Sequence, residues 1–220
     1  MTAGPSRGAR GVRLIGMRFW NDRVLPVLVE KACRSHAILA ERRRWVPRAH
    51  GEVLEIGVGS GLNLAFYDPA TVRAVTGLDP SAPLLARAAA RVATAPVPVA
   101  LISGRAEALP FDAHRFDAAV ITYSLCSVDD PAQALAEVRR VLRPGGELIF
   151  IEHGLAPDAR TRGWQRRLTP VWRRIGGGCR LDRDVAGILR AAGYHADLTA
   201  GFSEGARWLS YTYQGTARPA

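Results

Sequence analysis

A glycine-rich turn follows the first predicted strand of this chain and limits the folds that the chain can adopt. Residues 52–56 have the apolar composition of a strand, and they run directly into Gly57-Val58-Gly59-Ser60-Gly61. Residues 62–67 can then begin a helix. Because glycine lacks a Cβ and tolerates positive φ, this turn can bring backbone close to a ligand. The sequence therefore predicts a strand, a glycine turn and a helix around a ligand site.

Strands alternate with helices along the rest of the chain. The further predicted strands cover residues 74–78, 97–102, 116–122, 147–152, 194–199 and 208–213, and the further predicted helices cover residues 81–93, 131–142, 161–175 and 182–192. This alternation predicts an α/β fold with a Rossmann-like, mostly parallel sheet and helices on both faces. The last two strands are predicted to form a hairpin at the sheet edge.

One sheet domain is predicted, with a helical cap ahead of it. A helical pattern over residues 17–45 ends before Pro47. No linker rich in proline, glycine and serine divides the remaining sequence. We therefore expect a tail and helical cap over residues 1–46 and a ligand-binding domain over residues 47–220, with residues 215–220 as a closing tail.

The formal net charge of +10 raises the question of a polyanionic partner. Lys31 is the only lysine, and this preference for arginine in a sequence rich in alanine and glycine is typical of a genome-wide codon bias. The charge therefore predicts a solvated basic surface with at most weak contact to an anionic membrane. Nucleic acid is an unfavoured partner because no appended RNA-binding module is recognisable. The pattern does not predict an oligomeric state.

Cysteine content bears on the compartment. Cys33, Cys126 and Cys179 are odd in number and lack paired spacing, so the sequence predicts neither a disulfide framework nor a metal site. They are interpreted as packing residues, with a soft metalloid substrate such as arsenic left open. No apolar run approaches the roughly 18 residues of a membrane span, and no secretory signal is recognisable. We therefore expect a cytoplasmic protein.

Two acidic residues distinguish this turn from nucleotide-binding turns with similar glycines. Leu62 stands where the last glycine of G-x-G-x-x-G would fall, and the Gly-Lys-Ser/Thr ending of a P-loop is absent. Glu55 suits a ligand with an ammonium and a sulfonium better than a pyrophosphate. Asp79 follows Glu55 by 24 residues, a distance typical of an acid that accepts hydrogen bonds from a ribose diol. Both acids end neighbouring strands, where open α/β sheets bind ligands.

Five segments are similar, in order and spacing, to the motifs of class I methyltransferases that use S-adenosylmethionine (SAM). They are residues 53–61, 77–81, 106–111, 116–120 and 141–148. The resemblance implies a seven-stranded sheet whose last strand is antiparallel, with SAM across the carboxyl ends of the early strands and S-adenosylhomocysteine as the product. It identifies residues 47–220 as a SAM-binding methyltransferase domain.

The resemblance also implies roles for individual residues. The cofactor-binding residues that it implies are Glu55, Gly57, Gly59, Gly61, Asp79, Pro80, Ala106, Glu107 and Tyr123. Glu55 and the backbone of the three glycines would hold the methionyl end of SAM, and Asp79 would bind the ribose hydroxyls. Many relatives carry an acid where this chain has Arg105. The adenine contact is therefore left open between Glu107 and a backbone amide.

Three later segments resemble a narrower group. Residues 123–128, 151–154 and 178–184 are similar to proteins that methylate alkyl thiols and to bacterial phosphatidylethanolamine N-methyltransferases. This resemblance implies a small-molecule acceptor. A thiol is preferred, because a thiol of pKa about 8.5 already supplies a few per cent of thiolate at neutral pH. The alternative is a peripheral methyltransferase of phospholipids or quinols at a membrane surface, and RNA methylation and SAM binding without catalysis are less favoured.

His153 and Tyr123 are the candidate catalytic residues. His153 ends the fifth predicted strand on the ligand side, where it could act as a base near neutral pH or serve as a structural histidine. Tyr123 follows the fourth strand, where acceptor and SAM should meet. Methyl transfer needs proximity and alignment rather than a metal, so no metal is predicted. The predicted covers of the acceptor are residues 164–175 on one side and Phe19, Trp20, Asp22 and Tyr67 on the other.

Overall fold

The computed structural model describes residues 23–220. Its helices are α1 Leu25–Cys33, α2 His36–Trp45, α3 Ala82–Val92, α4 Pro131–Val141, α5 Ala159–Ile175 and α6 Val185–Ala191. Its strands are β1 Gly51–Ile56, β2 Val72–Asp79, β3 Val99–Ser103, β4 Phe116–Thr122, β5 Leu142–His153, β6 Tyr194–Phe202 and β7 Tyr211–Pro219. The predicted N-terminal tail and the cap residues Phe19, Trp20 and Asp22 lie outside the described residues.

The seven strands form one sheet in the order β3-β2-β1-β4-β5-β7-β6. Neighbouring strands from β3 to β5 pair in parallel, whereas β7 runs antiparallel to both β5 and β6. The strand order reverses between β1 and β4, which creates the crevice where ligands bind in such sheets. This arrangement confirms the predicted Rossmann-like α/β fold, its antiparallel last strand and its edge hairpin.

Helices cover both faces of the sheet. On one face, Leu54 of β1 packs in a cluster with Leu135 of α4. On the other face, Val53 of β1 packs in a cluster with Trp45 of α2. Because successive side chains of a strand point to opposite faces, these two neighbours enter different layers of the core. Because both faces of the sheet are buried, the sequences of the central strands are nearly continuous runs of apolar residues.

Two predicted helices differ from the structure. Residues 62–67 form only a short 3₁₀ turn at Leu64–Phe66, because Tyr67 adopts an extended backbone and Pro69 disfavours helical backbone at the residue before it. The pattern over residues 17–45 predicted one helix, but its described part forms α1 and α2. Ser35 separates them with an extended backbone.

The last strand begins and ends later than predicted. Residues 207–209 lie in a turn, where the Leu209 amide donates to the Ala206 carbonyl at 2.8 Å. β7 then pairs with both neighbours through Gly215, where the sequence predicted a tail. A Cβ at Gly215 would lie 2.1 Å from the Asp197 carbonyl oxygen. This glycine therefore permits close approach of two strands, and the expected closing tail is wrong.

Candidate cofactor and acceptor site

A cavity of about 860 Å³ opens at the carboxyl ends of the central strands, where open α/β sheets bind ligands. Small-molecule sites typically have about 300–1,000 Å³. α1 contributes Leu25, Leu28 and Val29 to its wall. The predicted site residues on the lining are Gly57, Gly59, Asp79, Pro80, Ala106, Glu107, Tyr123 and His153. The structure therefore brings most predicted residues to one cavity, while Glu55 and Gly61 lie outside its lining.

The glycines of the turn permit close packing on two sides. Gly57 has φ +69°, and a Cβ there would fall 2.0 Å from the Ser124 hydroxyl, so the turn lies directly against the loop after β4. Gly61 has φ +79°, and a Cβ there would lie 3.2 Å from the Ala88 Cα of α3. Gly57 and Gly59 thus present backbone to the cavity, whereas Gly61 lets a helix pack closely behind it.

Asp79 ends β2 on the cavity wall, where its carboxylate supports the glycine turn. Its Oδ2 accepts a hydrogen bond from the Gly59 amide at 2.9 Å, and its Oδ1 accepts one from the Ser81 amide at 2.8 Å. Burial raises the pKa of Asp79, and these amides oppose that shift. Each oxygen can still accept a second hydrogen bond. The predicted contact of Asp79 with the ribose hydroxyls stays a prediction.

Glu55 lies behind the turn, with only 1% of its surface exposed. Its Oε1 accepts a hydrogen bond from the side-chain nitrogen of Asn63 at 2.9 Å, and its Oε2 accepts one from the Tyr67 hydroxyl at 2.8 Å. Burial raises the pKa of Glu55 to about 7, although Tyr67, Arg42 and Asn63 oppose the shift. The predicted contact of Glu55 with the methionyl end of SAM stays a prediction, because Glu55 is buried and does not line the cavity.

Arg42 connects this buried network to the cavity. Its Nη1 donates to the Asn63 side-chain oxygen at 2.5 Å and to the Thr122 hydroxyl at 2.7 Å. Both Arg42 and Thr122 lie on the cavity lining. Sequence reasoning missed this arginine, because α2 is one of several arginine-rich segments and nothing in its spacing marks a buried member.

Replacing Glu55 with glutamine is expected to stabilise the protein above pH 7 relative to the wild type. Because the pKa of Glu55 is raised from 4.5 to about 7, the folded state binds its proton more tightly than the unfolded state. That contribution to stability is complete below pH 4.5 and is lost as the pH rises through 7, a change of about 2–4 kcal/mol. Urea unfolding of both proteins across this range measures it. A free-energy difference that stays constant with pH would contradict the assignment.

Glu107 fixes the backbone after the loop that follows β4, on the cavity lining. Its Oε1 accepts from the Asp129 amide at 3.0 Å and from the Asp130 amide at 3.4 Å. Arg105 pairs with Glu107 at 3.3 Å and with the Asp129 carboxylate at 2.6 Å. Asp130 caps α4 by accepting hydrogen bonds from the Ala132 and Gln133 amides. Arg105 therefore fixes the Glu107 carboxylate at the rim of the cavity. The sequence left open whether Glu107 or a backbone amide contacts the adenine.

Tyr123 and His153 lie together where β4 and β5 end. Their ring centroids are 4.7 Å apart, and the Tyr123 hydroxyl donates to the Glu41 carboxylate of α2. Tyr123 has φ +55°, a left-handed conformation that costs a non-glycine residue free energy and is found preferentially at functional sites. The structure brings both candidates to the cavity. Their catalytic roles stay predictions.

Glu152 fixes the loop after β4. This buried carboxylate accepts hydrogen bonds from the Ser124 and Leu125 amides at 2.7 Å each and from the Cys126 amide at 3.1 Å. Burial raises the pKa of Glu152 to about 7 against the effect of these donors. The loop brings Cys126 near His153 and Cys179, and the ligand atoms of these three side chains lie within 4.8 Å of one another. The spacing of the cysteines gave no sign of this cluster.

Comparison with known proteins agrees with this geometry. The family model described as "Methyltransferase domain" matches residues 54–150. Thiol S-methyltransferase TMT1B of Homo sapiens is 37% identical over 143 residues, which are 62% of this chain and 58% of that protein. Phosphatidylethanolamine N-methyltransferase of Cereibacter sphaeroides is 39% identical over 105 residues, which are 47% of this chain and 51% of that protein.

The fold has counterparts among solved structures. A SAM-dependent methyltransferase from Aquifex aeolicus has a TM-score of 0.62 at 15% identity, with 87% of this chain and 97% of that chain covered. The chain spans little more than half the length of the two curated relatives. The matched family model, the sheet topology and the cavity agree over the central part of the sequence. Residues 54–150 therefore match a methyltransferase domain, and the sheet has the fold of a SAM-dependent methyltransferase.

Proposed function

We propose that this chain transfers the methyl group of SAM to a small-molecule thiol. The observation that carries the proposal is the continuity of the cavity from the glycine turn and Asp79 to a second half with a different lining. The apolar and sulfur-bearing residues of that half include Cys126, Trp172, Cys179 and Leu209. An apolar thiol held there would lie beside the cofactor.

The chemistry is a direct displacement at the methyl carbon. A lone pair of the acceptor sulfur forms the new bond while the bond from that carbon to the SAM sulfur breaks, leaving its electron pair on the SAM sulfur. The thiol proton passes to solvent or to His153, which reaches the lining beside Tyr123. The protein mainly supplies proximity, alignment and exclusion of water. A thiol suits this site because its pKa is lower than that of an alkyl ammonium or a hydroxyl group, so it loses its proton more readily.

The names of the relatives support the acceptor class. TMT1B is named as a thiol S-methyltransferase, and its similarity to this chain covers 143 residues. The sequence segments around Cys126, His153 and Cys179 are those that resemble the same group, and all three residues lie on the cavity lining. The resemblance therefore concerns the proposed acceptor half as well as the cofactor half.

A second candidate is a peripheral methyltransferase of phospholipids or quinols. α5 exposes Trp164, Val171 and Ile175 to solvent by 47–57% and carries several arginines. Such a helix can lie in a membrane interface with its arginines at anionic headgroups. No helix within residues 23–220 is long and apolar enough to cross a membrane. In this second candidate function, the protein contacts the membrane only weakly and at its surface.

An acceptor panel with methyl-labelled SAM tests the proposal. We expect label in alkyl thiols of moderate size, and little in amines, quinols, RNA or phospholipids presented in anionic vesicles. Failure to label any thiol would contradict the thiol proposal, and labelling confined to vesicle lipid or quinol would favour the second candidate. SAM binding without transfer to any acceptor would favour a non-catalytic SAM-binding protein.

A further inference from the structure

Two cysteines and a histidine converge at the acceptor half of the cavity. Cys126 follows β4, His153 ends β5, and Cys179 follows the glycines after α5. Their Sγ and ring-nitrogen atoms all lie within 4.8 Å of one another. All three residues contribute to the cavity wall. The cluster is therefore next to the space proposed for the acceptor.

The backbone around the cluster is fixed in place. Glu152 accepts the Cys126 amide at 3.1 Å, which ties that cysteine to the residue before His153. The Arg180 amide donates to the Cys126 carbonyl at 3.0 Å, which holds the residue next to Cys179 against the same loop. Three separate segments thus present their side chains to one point through hydrogen bonds that do not involve those side chains.

Polar atoms near the cluster lack protein partners. Within residues 23–220, His153 Nδ1 and Trp172 Nε1 are buried and make no hydrogen bond. Trp172 packs against Cys126 and Cys179. A buried polar atom without a partner is unusual and indicates a missing water, ion or ligand. His153 Nδ1 is therefore available as a ligand atom, whereas the Trp172 N–H is a donor only and faces the sulfur atoms of the cluster.

We propose that Cys126, His153 and Cys179 bind a divalent cation of borderline softness, with Zn²⁺ as the best match, and leave a fourth coordination position open toward the cavity. Two thiolates and a neutral imidazole form a ligand set that Zn²⁺ prefers, and three protein ligands with one open position are typical of a catalytic zinc site.

Charge and size favour this occupant. Two thiolates neutralise a divalent cation, so the loaded centre carries no net charge in an apolar wall formed with Leu181, Trp172 and Trp208. Tetrahedral zinc, with bonds of about 2.0–2.3 Å, separates its ligand atoms by roughly 3.3–3.8 Å. Closing the cluster from separations of up to 4.8 Å therefore requires side-chain shifts of about 1 Å, which rotation of these side chains can provide.

The open position has a consequence for methyl transfer that rests on the proposed function. A thiol acceptor that reached it would lose its proton to solvent and be held as a thiolate, because coordination deprotonates thiols. Its sulfur would then take the methyl group, giving a thioether and S-adenosylhomocysteine. In the loaded protein His153 would act as a ligand rather than as a base.

Metal binding can be measured without any acceptor. Reduced protein without a polyhistidine tag is stripped with a chelator, loaded with Zn²⁺, passed through a desalting column and analysed for metal per chain. We expect one Zn²⁺ per chain in the wild type, and loss of that ion in Cys126→Ser, Cys179→Ser and His153→Gln. Cys33→Ser is the matched control, since Cys33 lines the same cavity but lies outside the cluster, and it should retain the ion.

Cobalt substitution and SAM binding complete the test. Co²⁺ in the wild type should produce sulfur-to-cobalt charge-transfer absorption, which the two cluster cysteine variants should lose. Calorimetry with SAM verifies that each variant is folded. Substoichiometric zinc in the wild type, equal zinc in all folded variants, or a protein that forms a Cys126–Cys179 disulfide and binds no zinc after reduction would each overturn the proposal. A failure of thiol methylation would leave the metal measurement unaffected.

Discussion

Asp79→Ala is expected to weaken SAM binding by about 100-fold, which corresponds to about 2.7 kcal/mol. The predicted contact is between this carboxylate and the ribose hydroxyls of SAM, and a hydrogen bond to a charged group contributes about 1.5–3 kcal/mol. The change also removes the acceptor for the Gly59 amide, which leaves part of the cofactor turn unsupported. Isothermal titration calorimetry with SAM measures the loss.

Asp117→Ala is the matched control for this measurement. Asp117 is also an aspartate of the sheet that accepts a backbone amide, that of Glu52 at 2.8 Å, but it lies near the amino end of β4. It does not line the cavity. Its removal should reduce stability and leave SAM affinity within about threefold of the wild type. Equal losses of affinity in the two variants would contradict the placement of the ribose at Asp79.

Gly57→Ala is expected to reduce the free energy of unfolding by about 2–5 kcal/mol. Left-handed backbone costs a residue with a Cβ about 1–2 kcal/mol, and overpacking adds about 1–3 kcal/mol. The new methyl group would lie 2.0 Å from the Ser124 Oγ and 2.4 Å from its Cβ. Rotation of the hydroxyl cannot relieve the second contact. Urea unfolding monitored by circular dichroism measures the change.

Gly145→Ala separates the two causes. Gly145 also has positive φ, at +82°, but a Cβ there would meet no atom within 4 Å. It should therefore show only the conformational cost. Adding Ser124→Gly to Gly57→Ala removes the clashing side chain and should restore part of the stability. Equal destabilisation by the two alanines, or no recovery in the double variant, would mean that the turn does not press against the loop after β4.

The cofactor half was predictable because its signals are local. The glycine turn, the following Asp79 and the alternation of strands with helices each lie within short stretches of sequence, and backbone chemistry restricts what such stretches can do. The structure accordingly confirms the sheet and brings Gly57, Asp79 and Ala106 to one cavity. The local sequence pattern was less informative at Gly215 and in the turn at Leu64–Phe66, where tertiary contacts determine the backbone conformation.

The acceptor half could not be predicted to the same depth. Cys126, His153 and Cys179 are separated by long stretches of chain and converge only through the order of β4 and β5 and the turn after α5. No spacing rule for metal ligands covers such a set. The burial of Arg42 beside Glu55 and Asn63 is likewise a consequence of how α2 packs on the sheet, which an arginine-rich helical pattern does not reveal.

A crystal structure with S-adenosylhomocysteine would locate both the cofactor and the space beside its sulfur. We expect the ribose hydroxyls within hydrogen-bond distance of the Asp79 carboxylate and the thioether sulfur facing the half of the cavity formed by Cys126 and His153. A ribose bound away from Asp79, or a sulfur directed away from that half, would contradict this expectation.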